Sequence, residues 1–170
     1  MTALRLVLAA QLALFAVWGG WLLTSHGGAA EVWLDTQPVD PRDLLAGHFV
    51  ALRYPIAVPH GVNCPETIDS PRGTTVWVRV APTGEARATS EGPVAIATSA
   101  ECRPAAPDAA TGETWLAGEM GDGGIVYGIE RFYVPETSAL RTARSGDVVA
   151  KVAVNGRGSA RIVDLVSTTK

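Results

Sequence analysis

Apolar residues in this chain form one long continuous run near the N-terminus and many short alternating runs after it. The run Leu6–Leu23 contains no charged residue and a single amide, Gln11. An α-helix rises about 1.5 Å per residue, so such a helix would span roughly 27 Å, close to the thickness of a hydrocarbon core. Because nearly every face of this helix would be apolar, the pattern predicts a membrane span.

The residues that flank this run predict its orientation. Arg5 precedes the run, and no Lys or Arg follows it before Arg42. By the positive-inside rule, the N-terminus stays cytoplasmic and the rest of the chain is exported. The alternative is a cleaved signal peptide with Gly28-Ala29-Ala30 at its cleavage site, although the run is longer than the usual apolar segment of about 7–15 residues. The predicted parts are a cytoplasmic N-terminus (1–5), a transmembrane anchor (6–23), a linker (24–30) and an exported β-domain (31–170), periplasmic or extracellular.

Short β-branched runs fill the exported region, and Gly, Pro and Asn separate them about every 8–12 residues. Pro82-Thr83-Gly84 predicts a turn, and Asn155-Gly156 favours a type I′ hairpin turn. One short helix is predicted at Glu136–Arg144, and an exposed loop at Glu101–Gly112. The predicted strands are Glu31–Thr36, His48–Ile56, Thr74–Val80, Glu85–Thr89, Val94–Thr98, Thr114–Gly118, Ile125–Val134, Val148–Val154 and Ala160–Ser167.

Many short strands with one short helix are typical of an all-β domain. We therefore predict a mostly β fold: a small antiparallel β-barrel or sandwich-like domain behind a single N-terminal transmembrane helix. The pattern shows no internal repeat and leaves the order of the strands open.

Composition and charge exclude several classes of protein. All of the charged residues except Arg5 lie beyond residue 30, where 13 basic residues face 17 acidic ones, a net charge of −4 with His neutral. A nucleic-acid binder would show a face rich in Lys and Arg, so no nucleic acid is expected as a partner. The chain is 47% hydrophobic, which is too apolar for a disordered protein.

The only two cysteines, Cys64 and Cys102, both lie in the exported region. In an oxidising compartment they predict one disulfide, which closes a loop of about 38 residues and contributes about 3–4 kcal/mol. The alternative is two separate thiols. Two Cys and the scattered His26, His48 and His60 do not form a zinc-ligand pattern, so we expect no metal and no cofactor.

Two passages resemble a known family. They are Pro38–Tyr54 (PVDPRDLLAGHFVALRY) and Glu130–Glu136 (ERFYVPE). Together they are similar to the bacterial GDYXXLXY family, which is named after its core motif. The resemblance implies one N-terminal membrane helix followed by a small envelope domain. It also implies a multi-spanning membrane protein as a partner. The predicted anchor at residues 6–23 would add membrane lipid as a second partner. The resemblance implies no particular reaction.

The core motif matches at Gly47, Leu52 and Tyr54, whereas His48 replaces its Asp and Phe49 replaces its first Tyr. A structural role is the simplest interpretation of these positions. Gly47 suits a turn, because glycine reaches positive φ without a steric penalty. Strand alternation over His48–Tyr54 predicts an interior strand with Val50, Leu52 and Tyr54 facing the core, and with His48 at its mouth.

Charged residues in the two passages support two interpretations. The first is a set of ion pairs that clips the first passage to the second, since a guanidinium fits a carboxylate. The second is an anion- or carboxylate-binding site centred on Arg42 and Arg53. The residues involved are Asp40, Arg42, Asp43, Arg53, Glu130 and Glu136.

A non-catalytic domain that binds or supports another membrane protein is the function that we expect. An exported hydrolase is the alternative, because an all-β domain on one helix is loosely similar to type I signal peptidases. Ser25 would then be the nucleophile and Lys151 the base. A second catalytic set could be assembled from Ser99, His60 and Asp69, but no nucleophile-elbow pattern surrounds Ser99. We therefore expect no enzyme activity.

Overall fold

The computed structural model describes residues 2–26, 29–37, 49–64, 71–108, 112–133 and 146–169. These residues form one α-helix, one 3₁₀ turn and nine strands. The predicted helix Glu136–Arg144 and the motif positions Gly47 and His48 lie outside them. The elements are α1 (Thr2–His26), β1 (Ala30–Asp35), β2 (Phe49–Ala51), the 3₁₀ turn (Pro55–Ala57), β3 (Thr75–Thr89), β4 (Gly92–Arg103), β5 (Thr114–Gly121), β6 (Gly124–Val126), β7 (Arg131–Tyr133), β8 (Val148–Val154) and β9 (Ala160–Ser167).

Seven strands form one curled sheet in the order β6-β5-β3-β4-β1-β8-β9, and β2 pairs with β7 in a separate small sheet. All neighbouring strands are antiparallel except β1 and β4. The sheet curls into a half-barrel. Ala117 N donates to Gly158 O at 2.9 Å, and Thr169 N donates to Ala88 O at 3.1 Å, so distant strands approach each other. The predicted mostly β class is confirmed.

The hairpin of β8 and β9 has the bounds that the sequence predicts. The predicted type I′ turn is wrong, because Asn155 and Gly156 lack the positive φ that such a turn needs, and Gly158 has it instead, at +74°. Six of the seven positions of β8 are buried, because it lies between β1 and β9 with both faces covered. Its turn is held by Asn155, whose side-chain oxygen accepts from Arg157 N and Ser159 N, each at 3.0 Å. The apolar run VVAKVAV therefore forms a strand that is buried along almost its whole length.

The predicted turn at Pro82-Thr83-Gly84 is wrong, because β3 continues through these residues alongside β4. The register shifts between Pro82 and Ala86, so the extra residues form a bulge and not a reversal. Thr83 Oγ1 donates to Ile96 O at 3.1 Å across the bulge. The two strands predicted here are one, and β4 likewise extends past its predicted end to Arg103.

The predicted strand Ile125–Val134 is also wrong, because two short strands replace it. β6 stays beside β5, whereas β7 pairs with β2. Gly128 between them adopts φ +79°, which favours glycine. Glu130 Oε1 accepts from Tyr127 N at 2.6 Å and caps this turn. The chain therefore leaves the main sheet between the two strands.

The motif strand is shorter than predicted. Instead of an interior strand over His48–Tyr54, β2 covers three residues and lies in the two-stranded sheet. Arg53 forms a single bridge with Gln37, and Pro55 then opens the 3₁₀ turn, since proline lacks the N–H that a continuing ladder needs. The predicted alternation is confirmed, with three buried side chains at Val50, Leu52 and Tyr54.

A disulfide joins Cys64 to Cys102, with their Cα atoms 4.8 Å apart. Val62 supports this link, because Val62 N donates to Ala100 O and Cys102 N donates to Val62 O, each at 3.1 Å. The disulfide therefore ties the segment before β3 to the end of β4, where Cys102 lies in the core.

α1 covers the apolar run in which the anchor is predicted. The described side chains of this helix are those of residues 5–21, and their large apolar members are exposed. Among the residues that the structure describes, no helix is long and apolar enough to span a membrane. The transmembrane crossing at residues 6–23 stays a prediction.

Candidate functional site

The two passages of the family motif meet through their backbones. β2 pairs with β7, so that Val50 lies opposite Phe132. Just beyond the strands, Leu52 N donates to Glu130 O at 2.8 Å. The ion-pair clip predicted for the same junction stays a prediction, because most of its members lie outside the described residues. Those members are Asp40, Arg42, Asp43 and Glu136.

Two tyrosines lock this junction, and we call them the tyrosine latch. Tyr54 Oη donates to Ile129 O at 2.9 Å, and Tyr127 Oη donates to Ile56 O at 2.7 Å. The two bonds cross in opposite directions between the motif strand and the later turn. Burial, with a smaller contribution from the negative charge of Glu130, raises the pKa of both phenols far above the usual value of 10. Tyr54 and Tyr127 therefore remain hydrogen-bond donors at any physiological pH.

The latch fixes the 3₁₀ turn beside a cleft of about 360 Å³, which we call the motif cleft. Three parts of the main sheet complete its wall: the end of β1, the bulge of β3 and the middle of β4. Its rim carries polar groups from Thr83, Glu85 and Thr98. The apolar lining residues are Leu34, Pro55, Ile56, Ala86, Ile96 and Ala97.

An ion pair between Asp35 and Arg87 lies at the rim of the motif cleft. Asp35 is fixed from its own strand end, because its Oδ1 accepts from Thr36 N at 3.0 Å. The Arg87 side chain remains 47% exposed. A guanidinium has five N–H donors, so Arg87 can engage a second carboxylate while it holds Asp35. This arrangement can bind a ligand with an acidic group and an apolar group.

Sequence reasoning missed this pair. Asp35 and Arg87 are separated by 52 positions, and they meet only because β4 pairs with β1 on one side and with β3 on the other. No local pattern in the sequence indicates the parallel pairing of β1 with β4.

The predicted lysine base lies in a different environment from the one that catalysis needs. Lys151 Nζ is 2.7 Å from Glu31 Oε2 and 5.9 Å from the centre of the Trp33 ring. The hydrogen bond that Lys151 donates to the Glu31 carboxylate raises the pKa of Lys151. A lysine base requires a lowered pKa, which comes from a dry pocket or a neighbouring cation. The side chain of Ser25, its predicted nucleophile, lies outside the described residues.

Two members of the second predicted catalytic set, Ser99 and His60, are joined by structural hydrogen bonds. Ser99 Oγ accepts from His60 N and donates to His60 O, each at 2.9 Å. Both bonds run to backbone atoms, so the hydroxyl pins the segment before the disulfide onto β4. Asp69 lies outside the described residues.

The predicted anion site is described only at Arg53. Its side chain is exposed and reaches the turn between β5 and β6, where a Cβ at Gly123 would lie 3.4 Å from Arg53 Nη2. Arg42, the other predicted member, lies outside the described residues. Binding of an anion here stays a prediction.

Comparison with known proteins supports the resemblance of the two motif passages. A search of curated proteins and a search of solved structures each found no match. The family model described as GDYXXLXY protein matches residues 11–165. This span includes most of α1, both motif passages and nearly all of β9. The chain therefore belongs to the GDYXXLXY protein family.

Proposed function

We propose that this protein is held at a membrane by α1 and that its β-domain, on the exported side, binds or supports another membrane protein without catalysing a reaction. The observation that carries the proposal is the exposure of apolar side chains on α1. Leu6, Leu12 and Val17 are 71%, 70% and 73% exposed. Phe15 and Trp21 are also more than half exposed.

These side chains surround the helix. At 100° per residue, Leu6, Val7 and Leu12 project about 100–140° apart, so exposed apolar side chains lie on all sides of the helix. Burying one Leu or Phe side chain is favourable by about 1.5–3 kcal/mol. A helix with several such side chains on all faces is therefore much more stable in lipid, or against a partner's helices, than in water.

The motif cleft supports the binding role. Its apolar lining lies beside the half-exposed Arg87, and buried apolar contacts with an arginine are a frequent combination at protein interfaces. The partner that fits is a protein segment with an apolar side chain and a carboxylate. The family resemblance favours a multi-spanning membrane protein as its source.

Extraction of membranes with alkaline carbonate tests the anchoring role. The full chain should stay with the membrane pellet, and Leu12→Arg/Phe15→Arg should be released, because charge in a lipid-facing helix is costly. A matched control is Val126→Arg/Val163→Arg, which changes two exposed apolar residues on strands. Release of the unmodified chain would contradict anchoring. A reporter fused after Lys170 should be active only on the exported side, and cytoplasmic activity would contradict the orientation.

Crosslinking in membranes tests the binding role. We expect the full chain to capture a membrane protein that Arg87→Glu loses, because the substitution places a carboxylate where the partner's carboxylate binds. The control is Arg161→Glu, an equal change of charge at an exposed position on β9. If the two variants capture the same proteins in equal amounts, the motif cleft is not the binding surface.

A further inference from the structure

One polar side chain interrupts the apolar surface of α1. Gln11 is the single amide in the uncharged run Leu6–Leu23, and its side chain is exposed. Within the part of the chain that the structure describes, this amide has no hydrogen-bond partner. At about 1.5 Å per residue, Gln11 lies about 8 Å inside a span that begins at Leu6. In the proposed membrane position, the amide is therefore surrounded by hydrocarbon.

An amide in hydrocarbon needs a partner from another helix. Because no water reaches it there, an unpaired N–H or C=O group is costly, and membrane helices commonly satisfy such groups by side-chain hydrogen bonds to each other. A second Gln11 meets this need, since an amide has two N–H donors and a carbonyl acceptor and so complements itself. Two copies of this chain insert with the same orientation, which places their Gln11 side chains at the same depth.

The residues around Gln11 have the spacing of a seam between paired helices. Val7, Gln11, Leu14 and Trp18 are separated by four, three and four residues, which is the heptad spacing of a coiled coil. The three apolar members are each more than half exposed. They project within about 60° of Gln11, so the amide lies inside one apolar stripe, which we call the Gln11 stripe. A single polar residue in such a seam fixes the register and the number of helices that pair.

We propose that α1 pairs in parallel with α1 of a second copy of this chain in the membrane, through a hydrogen bond between the two Gln11 amides. This inference rests on the proposed function, because the amide needs a partner only when lipid surrounds the helix. The pair is symmetric, so each copy contributes the same Gln11 stripe. The motif cleft shares no residue with this stripe, so pairing and partner binding use separate surfaces.

Disulfide crosslinking in membranes tests which face of α1 pairs. Both native cysteines form one disulfide, so a cysteine added to α1 is the only free thiol. Val7→Cys and Trp18→Cys place that thiol on the Gln11 stripe. Leu6→Cys and Val17→Cys are matched controls at neighbouring positions, about 120–140° away from Gln11. We expect an oxidant to link two copies at the stripe positions and not at the control positions.

Sedimentation equilibrium of the full chain in maltoside micelles measures the strength of pairing. Gln11→Leu removes the amide, whereas Gln11→Asn keeps one and is the matched control. We expect Gln11→Leu to weaken pairing by about threefold to thirtyfold, the range for a side-chain hydrogen bond between membrane helices. Gln11→Asn should pair more strongly than Gln11→Leu. Thermal melts with the native disulfide intact check that each variant is folded.

Equal pairing by Gln11→Leu and the unmodified chain would overturn the proposal, as would crosslinks that are as frequent at the control positions as on the stripe. Crosslinks from the stripe to a different protein, with none between two copies, would also overturn it. Carbonate extraction reports on the anchor separately, because Gln11→Leu removes a polar group from the helix and should stay with the membrane pellet. Failure of pairing and failure of membrane anchoring therefore give different results.

Discussion

Removal of the Tyr54 hydroxyl tests whether the tyrosine latch stabilises the junction of the two motif passages. Tyr54→Phe keeps the ring and deletes only the donor to Ile129 O, 2.9 Å away. Both partners are buried, with Tyr54 1% and Ile129 2% exposed. Water therefore cannot replace the lost donor, and the carbonyl of Ile129 loses this partner.

The magnitude follows from this burial. A buried polar group that loses its partner costs about 1–3 kcal/mol, and the retained ring keeps the apolar contribution unchanged. We therefore expect Tyr54→Phe to lower the free energy of unfolding by about 1–3 kcal/mol. Small domains are stable by about 5–15 kcal/mol, so the change is a measurable fraction of the total.

Urea unfolding of the full chain in non-ionic micelles, followed by tryptophan fluorescence, measures this difference. The matched control is Tyr133→Phe, because Tyr133 is 73% exposed. Substitutions at such a surface position usually change stability by less than about 0.5 kcal/mol. Equal stability of the two variants would refute the latch as a stabilising contact.

Three further predictions use the same unfolding assay. Leu52→Ala should lower the free energy of unfolding by about 2–5 kcal/mol, because Leu52 is buried. His48→Asp, which restores the family's residue, should change it little. The reverse order would contradict the core role of the motif strand. The free energy of unfolding should fall above about pH 10, because the phenol pKa of Tyr54 and Tyr127 is raised only in the folded protein, and unfolding at such a pH releases their protons. Tyr54→Phe should make this decline shallower by about 1.4 kcal/mol per pH unit. An unchanged decline would count against the buried phenol. Gly158→Ala should destabilise strongly, since Gly158 has φ +74° and its Cβ would lie 2.3 Å from Trp77 Cζ3; stability equal to that of Gly156→Ala would show that the turn adapts.

Local signals in the sequence predicted the elements that local interactions determine. The β8–β9 hairpin has its predicted bounds, because an uninterrupted apolar run and the side chain of Asn155, which holds the turn, both act over a few residues. Pro82-Thr83-Gly84 carries equally strong turn signals but lies within a strand. There the long ladder with β4 outweighs local preference, and the turn residues become a bulge.

The candidate sites could not be predicted in the same way. Asp35 and Arg87 meet through strand order, because β4 lies between β1 and β3, and the motif cleft likewise assembles residues from β1, β3, β4 and the 3₁₀ turn. Each of these residues has an ordinary local environment in the sequence. Only the topology of the sheet brings them together, and periodicity along the chain contains no information about strand order.

The family motif itself has a physical explanation in this structure. Leu52 and Tyr54 are two positions apart, so they share the face that packs into the core. The latch then ties the motif strand to the turn that precedes the second passage, and the next two residues, Pro55 and Ile56, become part of the motif cleft. The two passages therefore work as one unit, in which buried hydroxyls and backbone pairing fix the position of a cleft that neither passage forms alone. Substitution at Tyr54 should for this reason alter both stability and the cleft, whereas substitution at the half-exposed Arg87 should alter binding and, through loss of the ion pair with Asp35, change stability by only about 0–1 kcal/mol.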